Sequence, residues 1–390
     1  MADKRHILAV SGSRSDYSLL VWPLRLLGAE PSFRLEVAVT GMHLLPAFGN
    51  TVDQFAKDGF EIAARVPTQE DEDSPEETAR AIGRGIIGFT ETLSRLKPDL
   101  LLVLGDRFET FAAAQAAFVL RIPIAHMCGG DVSNGALDDG FRHAIAKMAS
   151  VHFPTNEGAA HRLRQLGEMP ERIFNVGSTG IDFIKRAELL PRPELEASLG
   201  HVLPKRFLLV TFHPATLDPV PSLDQVGELL AALGQLPADI GIVFTFANAD
   251  AEGAKINEML VAFAKTRTHT HCHPSLGPTR FQSLLRFTSA MVGNSSSGLY
   301  EAPSWDVPAV NIGRRQDGRL RATSVIDCPP QREAIAAAIT RALAMHPKGT
   351  VSPYGDGKAS ERIVAALKSI PDWQSLVYKS FLDLPATGKE

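Results

Sequence analysis

Short, mostly apolar runs recur along the first part of the chain at 6–10, 34–40, 99–104, 123–127 and 151–154. Between them lie longer amphipathic stretches, as at 75–96 and 110–121. Runs of this length read as strands buried on both faces, and the segments between them as the crossover helices of a parallel sheet. The alternation pauses at Leu189-Leu190-Pro191-Arg192-Pro193, where prolines and charge suit a linker. It restarts with runs at 207–212, 242–246, 289–292 and 308–312. The pattern predicts an α/β protein of two doubly wound, Rossmann-like domains facing across a cleft, at 1–188 and 205–370. The stretch 371–390, with Trp373, Leu376, Val377 and Tyr378, is expected to form an amphipathic helix packing back toward the first domain.

Composition agrees with this outline. A chain of 390 residues exceeds one ordinary core, and 44% hydrophobic with 22% charged residues is a globular balance. A net charge of -4 leaves no general footprint for nucleic acid, so any anion must be met by a local site. No run is long enough to span a membrane, and Met1 to Arg5 lead straight into the first strand without room for a signal peptide. The expected location is therefore cytoplasmic, with no membrane or nucleic-acid partner. Three scattered cysteines, Cys128, Cys272 and Cys328, do not make a disulfide framework. The segment His269-Thr270-His271-Cys272-His273 reads as a sheet strand rather than a metal site, since alternate strand residues lie roughly 7 Å apart.

In doubly wound sheets ligands bind beyond the carboxyl ends of the strands, so the residues after each apolar run carry the candidate chemistry. The stretch Gly293-Asn294-Ser295-Ser296-Ser297-Gly298-Leu299-Tyr300-Glu301 joins a strand to a helix start. Free backbone N–H groups, hydroxyls and a positive dipole end suit a diphosphate there, and Glu301 suits sugar hydroxyls, although a Ser cap explains a lone Gly-Ser turn as well. The first strand is followed by Ser11-Gly12-Ser13-Arg14-Ser15-Asp16-Tyr17, which is neither a G-x-G-x-x-G fingerprint nor a P-loop. Gly105-Asp106-Arg107-Phe108-Glu109 offers an acid and a guanidinium that serve equally as proton acceptor and phosphate contact, or as a helix cap with a salt bridge.

The richest stretch is His126-Met127-Cys128-Gly129-Gly130-Asp131, continued by Asp138-Asp139-Gly140-Phe141-Arg142-His143. One of Asp138 and Asp139 is expected to cap the following helix, whereas Asp131 has no such role and reads as functional. Further along, His213 follows a strand, Asn248 ends the next, and Arg314, Arg315 and Arg319 occupy a loop that is either solvated or a cationic clamp for phosphates.

Taken in order, the segments 11–17, 105–108, 126–131, 138–143, 211–214, 293–298 and 311–319 resemble the hydrolysing UDP-N-acetylglucosamine 2-epimerases of bacterial sialic- and legionaminic-type (nonulosonic) acid biosynthesis. The resemblance covers nearly the whole chain. It implies the GT-B fold, an active site in the interdomain cleft, no cofactor, and a homodimer or homotetramer. It also implies elimination of UDP to a 2-acetamidoglucal, then hydration to the free 2-epimerised sugar, which for N-acetylglucosamine is N-acetylmannosamine. Asp106, Asp131, Asp138 and Asp139 match catalytic acids or bases, with Arg142 beside them, and His213 matches the nucleotide and catalytic centre. Arg14, Ser18, Arg107, Asn248, Ser295, Ser296, Glu301 and Arg315 match positions that hold UDP, and Arg319 joins them from the cationic loop.

This sequence departs from the family at two points. Cys128 stands where relatives carry an acid or a histidine, and Asp131 where glutamate is usual. The shorter side chain moves a carboxylate by about 1 Å, enough to change rate or substrate. UDP-N-acetylglucosamine is the expected substrate. UDP-2,4-diacetamido-2,4,6-trideoxyglucose or a GDP-linked sugar is the alternative for the same chemistry, with a non-hydrolysing epimerase, a glycosyltransferase and a nucleotide-sugar-binding regulator behind it.

Overall fold

The computed structural model describes residues 4–45, 51–68, 75–132, 137–215, 218, 220–247, 252–274 and 276–383. The chain forms two units, residues 1–183 with 354–390, and residues 184–353.

In the first unit β1 (Arg5–Ser11), β2 (Phe33–Thr40), β3 (Ile62–Val66), β4 (Leu100–Leu104), β5 (Ile124–Met127) and β6 (Val151–Phe153) make one parallel sheet. Its order is β3-β2-β1-β4-β5-β6. The crossovers carry α1 (Arg14–Ala29), α2 (Val52–Lys57), α3 (Pro75–Leu96), α4 (Phe108–Val119), α5 (Leu137–Met148) and α6 (Glu157–Gln165), and α7 (Thr179–Arg186) follows. The strands lack polar alternation because both faces are covered. Ile7, Leu100 and Leu102 join the core that includes Leu20, Leu24 and Leu27 of α1, while Leu8, Leu101 and Val103 join Phe89 of α3 and the alanines of α4. Ala112, Ala113, Ala116 and Ala117 are buried, and such small side chains let α4 approach the sheet and α3 closely.

In the second unit α8 (Arg192–Leu199) precedes β7 (Arg206–Thr211), β8 (Ile240–Thr245), β9 (Thr270–His273), β10 (Ala290–Gly293), β11 (Ala309–Ile312) and β12 (Val325–Cys328). The order β12-β11-β10-β7-β8-β9 repeats the winding of the first sheet, with β7 and β10 in the places of β1 and β4. The interleaved helices are α9 (Ser222–Gly234), α10 (Gly253–Ala264), α11 (Gly277–Phe287), α12 (Ser297–Tyr300) and α13 (Arg332–Ala344). Two doubly wound α/β units are thus what the apolar pattern predicts.

The boundary falls elsewhere than expected. Residues 354–370 belong with the first unit rather than with a second domain ending at 370, and the division comes between 183 and 184 rather than at 188. The cause is a set of return contacts. Ser178 N–H donates to the Tyr354 carbonyl at 2.7 Å, and the buried Asp182 carboxylate accepts from the N–H groups of Ala359 and Ser360 at 2.9 and 2.6 Å. It thereby satisfies orphan donors at the start of α14 (Ala359–Ser369), whose Ile363 and Leu367 enter the α1 core. The expected amphipathic tail helix is instead a short 3-10 turn, Gln374–Val377. Trp373 and Leu376 are buried in that core, Arg5 lies over the Trp373 ring at 4.3 Å, and Val377 and Tyr378 are exposed. Two apolar anchors, rather than a continuous apolar face, fasten the tail, together with the Lys379–Glu168 ion pair at 2.7 Å and a bond from Leu382 N–H to the Gly167 carbonyl at 2.9 Å. Among the described residues no helix is long and apolar enough to cross a membrane.

Candidate functional site

Each sheet reverses its strand order between the first and fourth of its strands, and the loops that follow those two strands flank the reversal. In the first unit these loops begin at Gly12 and Gly105. The Asp16 carboxylate accepts from the N–H groups of Gly12 and Ser13, while Ser13 Oγ accepts from Asp16 N–H, a reciprocal capping box that fixes the loop after β1. Arg14 opens α1, with its side chain outside the described residues, and Ser18 lies one turn further along the helix. The loop after β4 turns on Gly105 at φ +70 and presents Asp106 and Arg107 just before α4.

Arg142, buried on α5, ties the loop after β4 to the loop after β5. It is ion-paired with Asp106 and Asp139, at 3.1 Å for the latter, and also donates to the Asp131 carbonyl at 2.9 Å. Asp131 is itself held: its carboxylate accepts from Thr155 Oγ1 at 2.9 and 3.0 Å and from Asn156 Nδ2 at 3.2 Å. Asn156 in turn caps α6 through Ala159 N–H at 2.9 Å, so Asp131 is tied to a rigid element. Its loop turns on Gly130 at φ +78, where a Cβ would meet the Ala159 carbonyl oxygen at 2.3 Å. Helix α5 begins at Leu137, so Asp138 and Asp139 both lie inside its first turn and neither is the expected cap, while residues 133–136 lie outside the described residues.

Burial and mutual charge shift the titration of Arg107, Asp16, Asp138 and Cys128. Burial pulls the Arg107 guanidinium down, but Glu109, Asp16 and Asp138 outweigh it and hold it above its ordinary value. Burial pushes the carboxyls of Asp16 and Asp138 up, with Arg107 opposing in both. Burial also raises the Cys128 thiol, and the charges of Asp131 and Asp16 add to the effect. That side chain, at φ +63, is accordingly a neutral thiol and no substitute for a carboxylate.

Two histidines support the loops from beneath. His43 Nε2 lies 2.9 Å from Ser11 Oγ and its Nδ1 2.7 Å from Thr51 Oγ1, while His126 Nε2–H donates to the Gly105 carbonyl at 2.7 Å. Burial lowers His43 to about 4, with Arg107 adding to the shift, and lowers His126 to about 3. Both are neutral when folded, so below about pH 6.5 the unfolded chain binds more protons than the folded one. Their contribution is full above that pH and is lost progressively as the pH falls toward the folded values. Each adds up to about 1.4 kcal/mol per pH unit to the slope. The urea midpoint is expected to fall between pH 7.5 and 5.0, and a flat profile over that range would contradict neutral burial.

In the second unit the loops after β7 and β10 are laced by one amide. Buried Asn294 accepts the His213 N–H at 2.7 Å and donates to the His213 carbonyl at 2.8 Å. The Asn294 carbonyl accepts from Arg315 Nη1 at 3.2 Å and Gln316 Nε2 at 2.8 Å, which brings the cationic loop onto the serine motif. The helix expected after β10 is only one turn, Ser297–Tyr300, running into a 3-10 turn Ala302–Trp305. Pro303 lacks the N–H that an α-helix would use, so what remains is a turn presenting Ser295 and Ser296 rather than a macrodipole. Burial pushes the Glu301 carboxyl up against the influence of Ser297 and Gln282, and its Oε2 is buried without a hydrogen-bond partner among the described residues. Arg319 donates to Gln316 Oε1 at 2.9 Å and lies 5.8 Å over the Tyr300 ring. Asn248 lies outside the described residues.

The structure thus brings Asp106, Arg107, Asp131, Asp138, Asp139 and Arg142 together in one unit, and His213, Ser295, Ser296, Glu301, Arg315 and Arg319 around the loops of the other. Gly41 and His43 after β2, and Thr155 and Asn156 after β6, were not among the expected site residues, although they lie within three positions of the ends of apolar runs. The histidine-rich segment is β9, where His273 Nε2 lies 3.0 Å from His201 Nε2 and the ring of His271 stacks on His201.

A family model described as UDP-N-acetylglucosamine 2-epimerase matches residues 25–368. The chain is 36% identical over 325 residues to the GDP/UDP-N,N'-diacetylbacillosamine 2-epimerase (hydrolyzing) of Campylobacter jejuni, covering 83% of this chain and 84% of that protein. It is 35% identical over 370 residues to the UDP-N,N'-diacetylbacillosamine 2-epimerase (hydrolyzing) of Legionella pneumophila, covering 94% and 96%. A crystal structure from Listeria monocytogenes, provisionally assigned as a UDP-N-acetylglucosamine 2-epimerase, superposes with a TM-score of 0.78 at 22% identity, over 94% of this chain and 96% of that one. With a family match running from α1 to α14 and hydrolysing relatives above one third identity, this chain, acid-lined at one set of strand ends and serine-lined at the other, belongs to the UDP-N-acetylglucosamine 2-epimerase family.

Proposed function

We propose that the chain is a hydrolysing 2-epimerase of a nucleotide-linked 2-acetamido sugar, and that the sugar is N,N'-diacetylbacillosamine (2,4-diacetamido-2,4,6-trideoxyglucose) on UDP or GDP. The observation that carries the reaction type is the acid cluster gathered by Arg142, in which Asp106 and Asp131 are each anchored on hydrogen-bond donors. The sugar rests on the names of the two relatives above one third identity. A UDP-N-acetylglucosamine 2-epimerase of Neisseria meningitidis is 27% identical over 384 residues, which keeps UDP-N-acetylglucosamine as the second reading.

In the proposed reaction a carboxylate takes the C2 proton while the C1–O bond breaks and its electron pair leaves on the nucleoside diphosphate, giving the 2-acetamidoglucal. Water then adds to C1 and a proton returns to C2 on the opposite face, releasing the free 2-epimer for nonulosonic acid synthesis. Asp106 and Asp131, with Asp138 and Asp139 beside them, supply the proton transfers. Arg14, Ser18, Arg107, His213, Asn248, Ser295, Ser296, Arg315 and Arg319 hold the nucleotide, and the unpartnered Glu301 oxygen receives a ribose hydroxyl. No cofactor enters these steps.

Incubation in deuterated water with each nucleotide sugar, followed by proton NMR, tests the reading. Release of the free 2-epimer carrying deuterium at C2, fastest from the diacetamido sugar, is the expected result. Faster release from UDP-N-acetylglucosamine would reassign the sugar, and a nucleotide-linked epimer would make the enzyme non-hydrolysing. Arg315→Ala is expected to weaken UDP about tenfold, the worth of one charge-assisted phosphate contact. Calorimetric titration giving wild-type affinity would remove Arg315 from the nucleotide site.

A further inference from the structure

Glu109 is wholly buried although it stands in the first turn of α4, where a carboxylate that serves only the helix dipole normally faces water. It receives two hydrogen bonds from one side chain, Arg107 Nη2 to Oε1 at 2.9 Å and Arg107 Nε to Oε2 at 3.2 Å. Two glycines leave the space that it fills. A Cβ on Gly41, itself at φ +55, would stand 2.3 Å from Glu109 Oε1, and one on Gly12 would stand 3.5 Å from the carboxyl carbon. The loops after β1 and β2 therefore wrap the carboxylate that grips the arginine at the end of β4.

A two-point contact fixes the plane of a guanidinium as well as its position. We infer that Glu109 is a positioning residue, whose buried carboxylate orients the Arg107 guanidinium toward the diphosphate of the substrate. The inference rests on the nucleotide-sugar reading above. A different role, simple neutralisation of a buried charge, predicts the opposite effect of removing the Glu109 charge. If Arg107 kept its place without Glu109, the site would gain net positive charge and bind a diphosphate more tightly. If Arg107 loses its orientation, binding weakens despite that gain.

Calorimetric titration of the full chain with UDP and with GDP decides between them, using E109Q, E109D, R107A and the double variant R107A/E109Q. E109Q keeps the shape and removes the charge, and E109D keeps the charge but withdraws it by a methylene. Both are expected to weaken the nucleotide about tenfold. R107A/E109Q is expected to bind no worse than R107A, because a residue acting only through Arg107 has nothing left to orient. Tighter binding by E109Q, wild-type binding by E109D, or a further loss in the double variant would each overturn the inference. Should E109Q fail to fold, E109D and the double variant, which removes both charges together, still decide. Wild-type protein binding neither nucleotide would overturn the nucleotide-sugar reading and this inference with it. Binding by the wild type that the variants leave unchanged would overturn the inference alone.

Discussion

Asp106→Asn and Asp131→Asn are each expected to lower turnover by about three orders of magnitude while leaving UDP affinity within about twofold, because each removes a proton acceptor and little volume. In Asp106→Asn the amide oxygen still accepts from Arg142, so the loop after β4 keeps its anchor while proton transfer is lost. In Asp131→Asn the amide oxygen still accepts from Asn156 Nδ2, and the new NH2 meets Thr155 Oγ1, a hydroxyl that accepts as well as donates, so that anchor is kept too. Loss of exchange at C2 together with loss of UDP release identifies a residue needed for the elimination. Accumulation of the 2-acetamidoglucal identifies one needed only for hydration. Near-normal turnover in either variant would remove that aspartate from the mechanism.

The fold was legible in the spacing of apolar runs because parallel strands covered on both faces leave continuous apolar signals. β1, β4, β5 and β10 are fully or almost fully buried along their length. β3 and β12 carry no such signal, since both are sheet edges with partly exposed residues. The site was half legible. Residues that end strands and carry charge, such as Asp106, Asp131 and His213, stood out from position alone. Their supports did not. Thr155, Asn156 and Asn294 are ordinary polar residues whose significance lies in the atoms they meet, and those contacts span 24, 25 and 81 positions of sequence. The same limit hid the division of the chain. The contacts that return α14 to the first unit join residues more than 170 positions apart, beyond what local composition records.

Gly293→Ala is expected to cost the second unit most of its stability, and the reason lies at one backbone contact. Gly293 ends β10 at φ +135, in register with Thr211 of β7. A Cβ there would lie 1.9 Å from the Thr211 carbonyl oxygen and 2.7 Å from its carbonyl carbon. Neither atom belongs to a side chain that could swing aside, so relief requires β7 and β10 to separate where the sheet reverses its order. Unrelieved overpacking ordinarily costs about 1 to 3 kcal/mol, and the disallowed backbone angle adds of order 1 to 3 more. A loss of about 4 kcal/mol or more is large against the stability of a typical domain. The next residue, Asn294, clamps both polar groups of the His213 backbone, so the same shift would also dismantle the loops proposed to hold the nucleotide. Gly298→Ala in the same motif provides the contrast. Its Cβ would meet only the Ala309 Cβ at 3.6 Å, an ordinary contact, so little change is expected. Denaturant unfolding of the two variants beside the wild type, with UDP titration below the transition, separates backbone necessity from a merely glycine-rich composition. A wild-type midpoint for Gly293→Ala would refute the steric argument, whereas a Gly298→Ala loss as large as that of Gly293→Ala would show that the whole turn, not one contact, resists a side chain.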